Sequence, residues 1–406
     1  MSKLMKLFRD KINQSKDKSA GNKAEFDVMY PTGFLALDHL NGTMIHVKSE
    51  DMDMNYKSLG IVDGSSNTFI GRSGCGKSTF CVQIIGNILK QFPTAEAYID
   101  DIEGSLPIPR KEFLLGLSKE ELAERVDMRN TGITTENVYQ RIKTIHDLKV
   151  ANRKDYEYDT GLFDTDGNRI FKLVPTLYFI DSFAMLLPND IASEDEIANG
   201  MGSASTAKLN TQLIKKISQL LKEANIILLT VNHILDDIQM GFLPKPVQVA
   251  GLKQGERLPG GRAAIYLANN MFRLDEKSTL KPTEGYGIDG TVVDITIIKS
   301  RTNATKKSVP LVFNKSNGSF DQILSLYHFL KVEGYIGGAG KSMYLNNAPD
   351  IKFSQKEFKN QLMVNEDLQK AFSLAAKEAM DTLLSETKTQ ESEGSFDINA
   401  SILSLG

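Results

Sequence analysis

The sequence predicts an α/β protein: a mostly parallel central sheet flanked by helices, with a small addition at the amino end and a helical one at the carboxyl end. Three observations carry this. Short apolar runs alternate with segments whose apolar residues recur at helical spacing, the pattern of strands joined by crossover helices. One of those runs leads straight into a glycine-rich loop, GRSGCGKST at residues 71–79, of the kind that joins a strand to a helix and cradles phosphate. The third is length, since 406 residues leave room for one core of roughly 250 residues and smaller pieces at each end.

Residues 1–43 read as an oligomerisation segment. Leu4, Leu7, Phe8 and Ile12 form a helical stripe too short to stand alone, so it needs a partner surface such as a neighbouring subunit. Turn-rich residues 30–43 and a hairpin-like stretch at 47–60 follow, and the core is expected over 44–320. Its strands are predicted at 67–70, 95–101, 175–181, 226–231, 271–274, 292–298 and 309–313, several of them continuous apolar runs suited to burial on both faces. Phe80, Ile84, Ile85, Ile88 and Leu89 mark one amphipathic helix, and Leu209, Leu213, Ile217, Leu220 and Leu221 another. Two long irregular stretches, 187–205 and 234–261, each follow a strand, and loops of that length usually serve function or stay disordered. Segment 156–174 holds DTDGNR, whose glycine comes two positions too early for a calcium loop, so a β-hairpin is predicted. Residues 321–406 should be helical, with two helices over 353–386, ending in an acidic tail. A second glycine-lysine string, GGAGKS at 337–342, has Tyr335 where a phosphate loop needs its first glycine and is predicted to be a surface loop.

Composition narrows the classes. Apolar residues make up 41% and charged residues 24%, and no apolar run approaches the ~18 residues that span a bilayer. The first residues lack an uninterrupted apolar segment and a cleavage site, so a cytoplasmic protein is expected. Only two cysteines occur, Cys75 and Cys81, the first inside the glycine-rich loop, which fits a reducing compartment. The net charge of −3 shows no overall excess of base for nucleic acid, which leaves local distribution to decide.

The loop carries the first chemistry. Gly71, Gly74 and Gly76 let the backbone turn its N–H groups, with those of Arg72, Ser73, Cys75 and Thr79, toward phosphate oxygens. Lys77 then bridges the terminal phosphates, and Ser78 ligates Mg²⁺, so ATP with Mg²⁺ is the expected ligand. Hydrolysis needs more. Asp181, at the carboxyl end of an apolar strand, is the expected second Mg²⁺ partner, with Ser182 beside it. Asp100, Asp101 and Glu103 cluster at the end of another strand, and spacing alone does not choose which of them activates water.

In order and spacing, these motifs resemble the RecA-like recombinases, most closely the phage UvsX type, over about residues 30–321. The resemblance implies a RecA-like ATPase core. It implies that Glu103, in the step Asp101-Ile102-Glu103, is the catalytic carboxylate, and that His233, after Asn232, senses the terminal phosphate. It makes Lys299 and Arg301, in KSRT, the basic pair that reaches the ATP of an adjacent subunit. Where the family often has a tyrosine that stacks on adenine, this chain has Arg110, whose guanidinium plane can stack instead. The two long stretches match the family's DNA-binding loops, and the second holds Lys245, Lys253, Arg257, Gly260, Gly261 and Arg262, suited to contacts with a phosphate backbone. The first is acidic in its near half, through Asp190, Glu194, Asp195 and Glu196, so its DNA-facing part is expected at 200–206. The function implied is a DNA-dependent ATPase and recombinase that forms filaments on single-stranded DNA in a bacterial or phage-infected cell. Its partners would be further copies of itself and loading or single-strand-binding proteins. A helicase or a low-turnover mediator of the same core fold is the competing expectation.

Overall fold

The computed structural model describes residues 28–48, 53–164, 168–192, 201–236, 251–259, 268–283, 286–300 and 307–392. The chain opens with strand β1 (Met29–Tyr30), helix α1 (Leu35–Leu40) and the hairpin of β2 (Thr43–Lys48) and β3 (Asp53–Ser58), then returns through β4 (Ile61–Val62) to pair with β1. The central sheet begins at β5 (Ser66–Gly71), which runs into α2 (Lys77–Gln91). It takes in β6 (Glu96–Asp101), α3 (Ile108–Leu115), β7 (Val126–Arg129) and α4 (Thr135–Ala151). The hairpin of β8 (Glu157–Phe163) and β9 (Arg169–Leu173) stands where segment 156–174 predicts one, before β10 (Thr176–Asp181), α5 (Met201–Ala224) and β11 (Ile226–His233).

Beyond β11, the short strands β12 (Leu235–Asp236) and β13 (Glu256–Arg257) pair with each other. The core closes with β14 (Asn270–Leu280), β15 (Gly290–Lys299), β16 (Ser308–Asn314) and β17 (Ser319–Asp321). After α6 (Gln322–Val332) come β18 (Ile336–Gly337), β19 (Met343–Leu345) and β20 (Ala348–Phe353), then α7 (Phe358–Val364) and α8 (Glu366–Ser392).

Nine strands form the central sheet in the order β17-β16-β15-β14-β5-β11-β10-β6-β7. From β14 to β7 every neighbour is parallel, whereas β14 to β17 form an antiparallel meander, so the sheet is mixed. The change of direction has a simple cause. Each parallel neighbour needs a crossover, which helices provide earlier in the chain, but only short connections separate the last four strands, and those permit only antiparallel return.

Side chains alternate across the sheet with the period of two that a strand imposes. Leu177 and Phe179 face a core shared with Phe80, Ile84 and Ile88 of α2, while Tyr178 and Ile180 face one shared with Ile142 of α4 and Leu213 and Ile217 of α5. The carboxyl-terminal region is not purely helical, because β18 to β20 form a three-stranded sheet between α6 and the last two helices, α7 and α8. Phe358, Leu368 and Ala375 join the same core as Phe80, as do Tyr30, Phe34 and Leu40 from the other end of the chain. Of the stretch 187–205, residues 189–192 and 201–205 are helical. The string at 337–342 is an exposed turn between β18 and β19, with no helix after it. Among the described residues no helix is long and apolar enough to cross a membrane.

Candidate functional site

Four parallel strands end side by side and bring their last residues to one edge of the sheet: Gly71 from β5, Asp101 from β6, Asp181 from β10 and His233 from β11. Register fixes their heights, with His233 opposite Gly71 and Asp181 opposite Asp101. Backbone bonds continue past the strand ends. Ile234 N–H donates to the Gly71 carbonyl at 3.0 Å, and the N–H groups of Ile102 and Glu103 donate to the Asp181 carbonyl at 2.7 and 3.1 Å. Open α/β sheets bind ligands at this edge, outside the carboxyl ends of their strands.

Between β5 and α2 the chain turns through Arg72, Ser73, Gly74 and Cys75. Gly74 (φ +83°) and Gly76 (φ +87°) lie in the left-handed region, and a Cβ on Gly71 would stand 2.6 Å from Cys75 Sγ and 2.7 Å from the Leu274 carbonyl. Close approach and backbone sign therefore both demand glycine. Gly76 caps α2 without a side-chain bond, and no acid sits in the first turn, so the helix N-terminus offers its N–H groups to an anion. Lys77 is buried, and its Nζ donates to the Arg72 carbonyl at 2.7 Å. Ser78 is half-buried at the mouth of the loop, with Thr79 buried behind it.

The three acids left open by spacing are separated by their partners. Asp100 accepts from the Tyr178 hydroxyl at 2.5 Å and pairs with Arg141, while burial pushes its carboxyl up. Asp101 is 1% exposed, pairs with Lys111 Nζ at 2.6 Å, and accepts from the N–H groups of Ser105 and Leu106 at 3.2 and 3.4 Å. Both are consumed inside the protein. Glu103 instead meets His233 Nε2 with its two oxygens at 3.0 and 3.2 Å, and the two side chains keep 23% and 26% of their surface open.

Asp181 is buried, and that burial raises its carboxyl, with the Ser78 hydroxyl pulling the other way. Ser105 Oγ donates to its Oδ2 at 3.2 Å, whereas its Oδ1 and the neighbouring Ser182 hydroxyl find no hydrogen-bond partner among the described residues. A buried carboxylate oxygen with no donor, beside a serine hydroxyl at a phosphate loop, fits Mg²⁺. That ion is usually held by one or two carboxylates together with phosphate oxygens and waters. Among the described residues no group of three or more His, Cys, Asp or Glu is arranged to hold a metal ion by itself.

Arg110 sits to one side. Its Nη1 donates to the Asn317 carbonyl at 2.6 Å and its guanidinium lies 5.3 Å from the centroid of the Phe113 ring, clasping the turn between β16 and β17. Phe320, just past that turn, backs the loop closely enough that a Cβ on Gly76 would be 2.8 Å from its ring. Lys299 ends β15 opposite Met271, itself level with Thr68, three residues before Gly71. That is roughly 10 Å down the strand from the phosphate loop of its own chain. Lys253 and Arg257 are exposed around β13. Lys245, Gly260, Gly261, Arg262 and Arg301 lie outside the described residues.

Several functional contacts were not anticipated from the sequence. Arg72 makes a two-pronged pair with Asp236 of β12, at 2.6 and 3.3 Å. Ser105 braces Asp181, Lys111 holds Asp101, and Arg273 of β14 grips Glu256 of β13. None of these pairs has a local signal, whereas the second carboxylate on Arg273, Asp275, does: the two stand two apart on a strand and share a face by period. No protein-family model matches the chain, and no curated protein matches it in sequence.

Proposed function

We propose that this chain is a RecA-like, Mg²⁺-dependent ATPase coupled to single-stranded DNA, a recombinase that assembles on the strand with ATP bound and releases it after hydrolysis. The observation that supports it most is the convergence of Lys77, Ser78, Asp181, Glu103 and His233 on the carboxyl edge of four adjacent parallel strands, with the two competing acids already paired. The DNA-dependent half of the proposal leans on the resemblance and on Lys253 and Arg257 beside β13.

The residues divide the work by position. The N–H groups of the loop and the first turn of α2 bind the phosphates, and Lys77 exchanges its bond to the Arg72 carbonyl for bonds to the terminal phosphates. Ser78 and Asp181 would hold Mg²⁺, which when bound would neutralise charge on the phosphate oxygens. Glu103 takes the proton of the attacking water, being the acid of the three that faces the open side of the site. His233, bonded to Glu103 and leading into Leu235–Asp236, is placed to couple the terminal phosphate to the segment beyond it. Lys299, which ends β15 at the opposite end of the sheet from the glycine-rich loop of its own chain, takes from the resemblance its assignment to the nucleotide of a second copy.

A steady-state ATPase assay with and without oligo(dT) tests the proposal, with nucleotide affinity measured in parallel by fluorescent ADP. Glu103→Gln should keep nucleotide affinity within a few-fold and lower turnover by about 10²–10⁴. Lys77→Ala should lose both. Turnover that ignores oligo(dT) at every salt concentration would refute the DNA-coupled reading, and turnover surviving Lys77→Ala would refute the site. Strand-exchange and strand-displacement assays then separate a recombinase from a helicase of the same core.

A further inference from the structure

The segment after β11 returns to the sheet through a built stem. Leu235 and Asp236 pair with Arg257 and Glu256, over an apolar cluster that includes Ile70, Ile234, Leu252 and Leu258. Beneath it lies Arg273, 4% exposed and opposite Ile70, one residue before the phosphate loop begins. All five of its N–H groups are used. Nη1 and Nη2 grip the two oxygens of Glu256 at 2.6 and 2.9 Å, Nε and Nη2 take Asp275 at 2.6 and 2.9 Å, and Nη1 also donates to the Gly251 carbonyl at 2.9 Å. Glu256 in turn accepts from Lys253 N–H at 2.7 Å, and its own N–H donates to the Lys253 carbonyl at 3.1 Å. Gly251 (φ +97°) and Gly255 (φ +82°) supply the left-handed bends, and at Gly251 a Cβ would meet Ile298 at 2.5 Å.

A guanidinium with every donor spent on one turn does more than neutralise a carboxylate. Its planar fork fixes the orientation of that turn. We infer that Arg273 is a positioning residue which, through Glu256 and Gly251, holds residues 251–257 so that Lys253 and Arg257 face a single-stranded nucleic acid backbone. The inference rests on the DNA-coupled reading above and adds the device that places the cations. Lys253 and Arg257 flank Glu256 in sequence and are exposed, while the carboxylate between them is turned inward onto Arg273. Without the grip the two cations remain on the chain but lose their shared geometry, and a bound strand then meets them singly.

The test is oligo(dT) binding by fluorescence anisotropy, in the presence of Mg²⁺ and a non-hydrolysable ATP analogue, over a salt series. Glu256→Gln leaves Arg273 paired with Asp275, and Arg273→Lys keeps the charge but removes the fork. Each should weaken binding about tenfold and reduce the slope of log affinity against log salt, by up to about 1.4 for two lost contacts on a single strand. Each should approach the Lys253→Ala/Arg257→Ala double variant, while nucleotide affinity stays near wild type and circular dichroism shows each variant folded at the assay temperature. Unchanged affinity and slope in both single variants, with wild type binding normally, would overturn the inference and leave the DNA-coupled reading standing. Failure of the wild type itself to bind oligo(dT) would overturn both. Should Glu256→Gln fail to fold, as judged by circular dichroism, Arg273→Lys decides alone: wild-type binding there means that charge, not geometry, is what matters.

Discussion

Lys149 offers a test of the structure that does not depend on function. It lies on α4, 4% exposed, with its Nζ donating to the Val174 carbonyl at 2.6 Å and to Thr176 Oγ1 at 3.0 Å. Among the described residues no carboxylate pairs with it directly. Burial pulls the amine from 10.5 down to about 7, with Glu96 pulling weakly the other way. The folded value lies below the unfolded one, so between about pH 7 and 10.5 the unfolded chain holds a proton that the folded chain does not, and stability rises with pH across that window. The cost of burying this lysine is about 4 kcal/mol at pH 7 and about 2 kcal/mol at pH 9. Lys149→Met removes the titration but also two hydrogen bonds, so its absolute effect mixes two terms, whereas its pH dependence carries only one. Urea unfolding followed by circular dichroism at pH 7, 8 and 9 should show wild type gaining about 2 kcal/mol on Lys149→Met over that range. Parallel curves, with a constant offset between the two proteins, would mean that Lys149 titrates as a free lysine and is not buried as described.

Two further outcomes follow from the site. Lys111→Met leaves Asp101 buried without its cation and should cost about 3–5 kcal/mol in urea unfolding, whereas Lys143→Met, which breaks a solvent-screened surface pair with Asp147, should leave the unfolding curve close to wild type. Equal effects would refute the assignment of Asp101 to structure. Gly76→Ala forces a Cβ to within 2.8 Å of the Phe320 ring at φ +87°, and should lower stability by at least about 2 kcal/mol and weaken ADP binding. A variant with wild-type melting temperature and ADP affinity would contradict the loop geometry.

Most of the fold was legible because it rests on local signals. All seven predicted strands occur in the central sheet, and both amphipathic stripes are helices with their apolar faces in the core. What periodicity does not carry is strand direction. β14, β15 and β16 read as the same buried apolar runs as β5 and β10, and only the shortness of their connections separates an antiparallel meander from a continued parallel sheet. Strands β18 to β20 were missed for a related reason: they are two, three and six residues long, too short for an alternating pattern to stand out.

At the site, the residues legible in the sequence are those whose chemistry requires a fixed local spacing. The glycine-rich loop 71–79 is the clearest, since its glycines answer to backbone geometry within nine residues. The division among Asp100, Asp101 and Glu103 is different, because three acids in four positions look alike until their partners are known. Those partners, Arg141 and Tyr178 for Asp100, Lys111 for Asp101 and His233 for Glu103, are set by which strands and helices come together. The same holds for the cations beyond β11. Read along the chain, Lys253 and Arg257 are two charges in a glycine-rich stretch, and nothing local distinguishes them from a solvated loop. Folding places Glu256 between them on a fully bonded guanidinium, opposite the residue that precedes the glycine-rich loop. The glycine-rich loop is therefore written in adjacent residues, while pairs such as Arg72 with Asp236 and Arg273 with Glu256 join residues far apart in the chain, which only the packed sheet brings together.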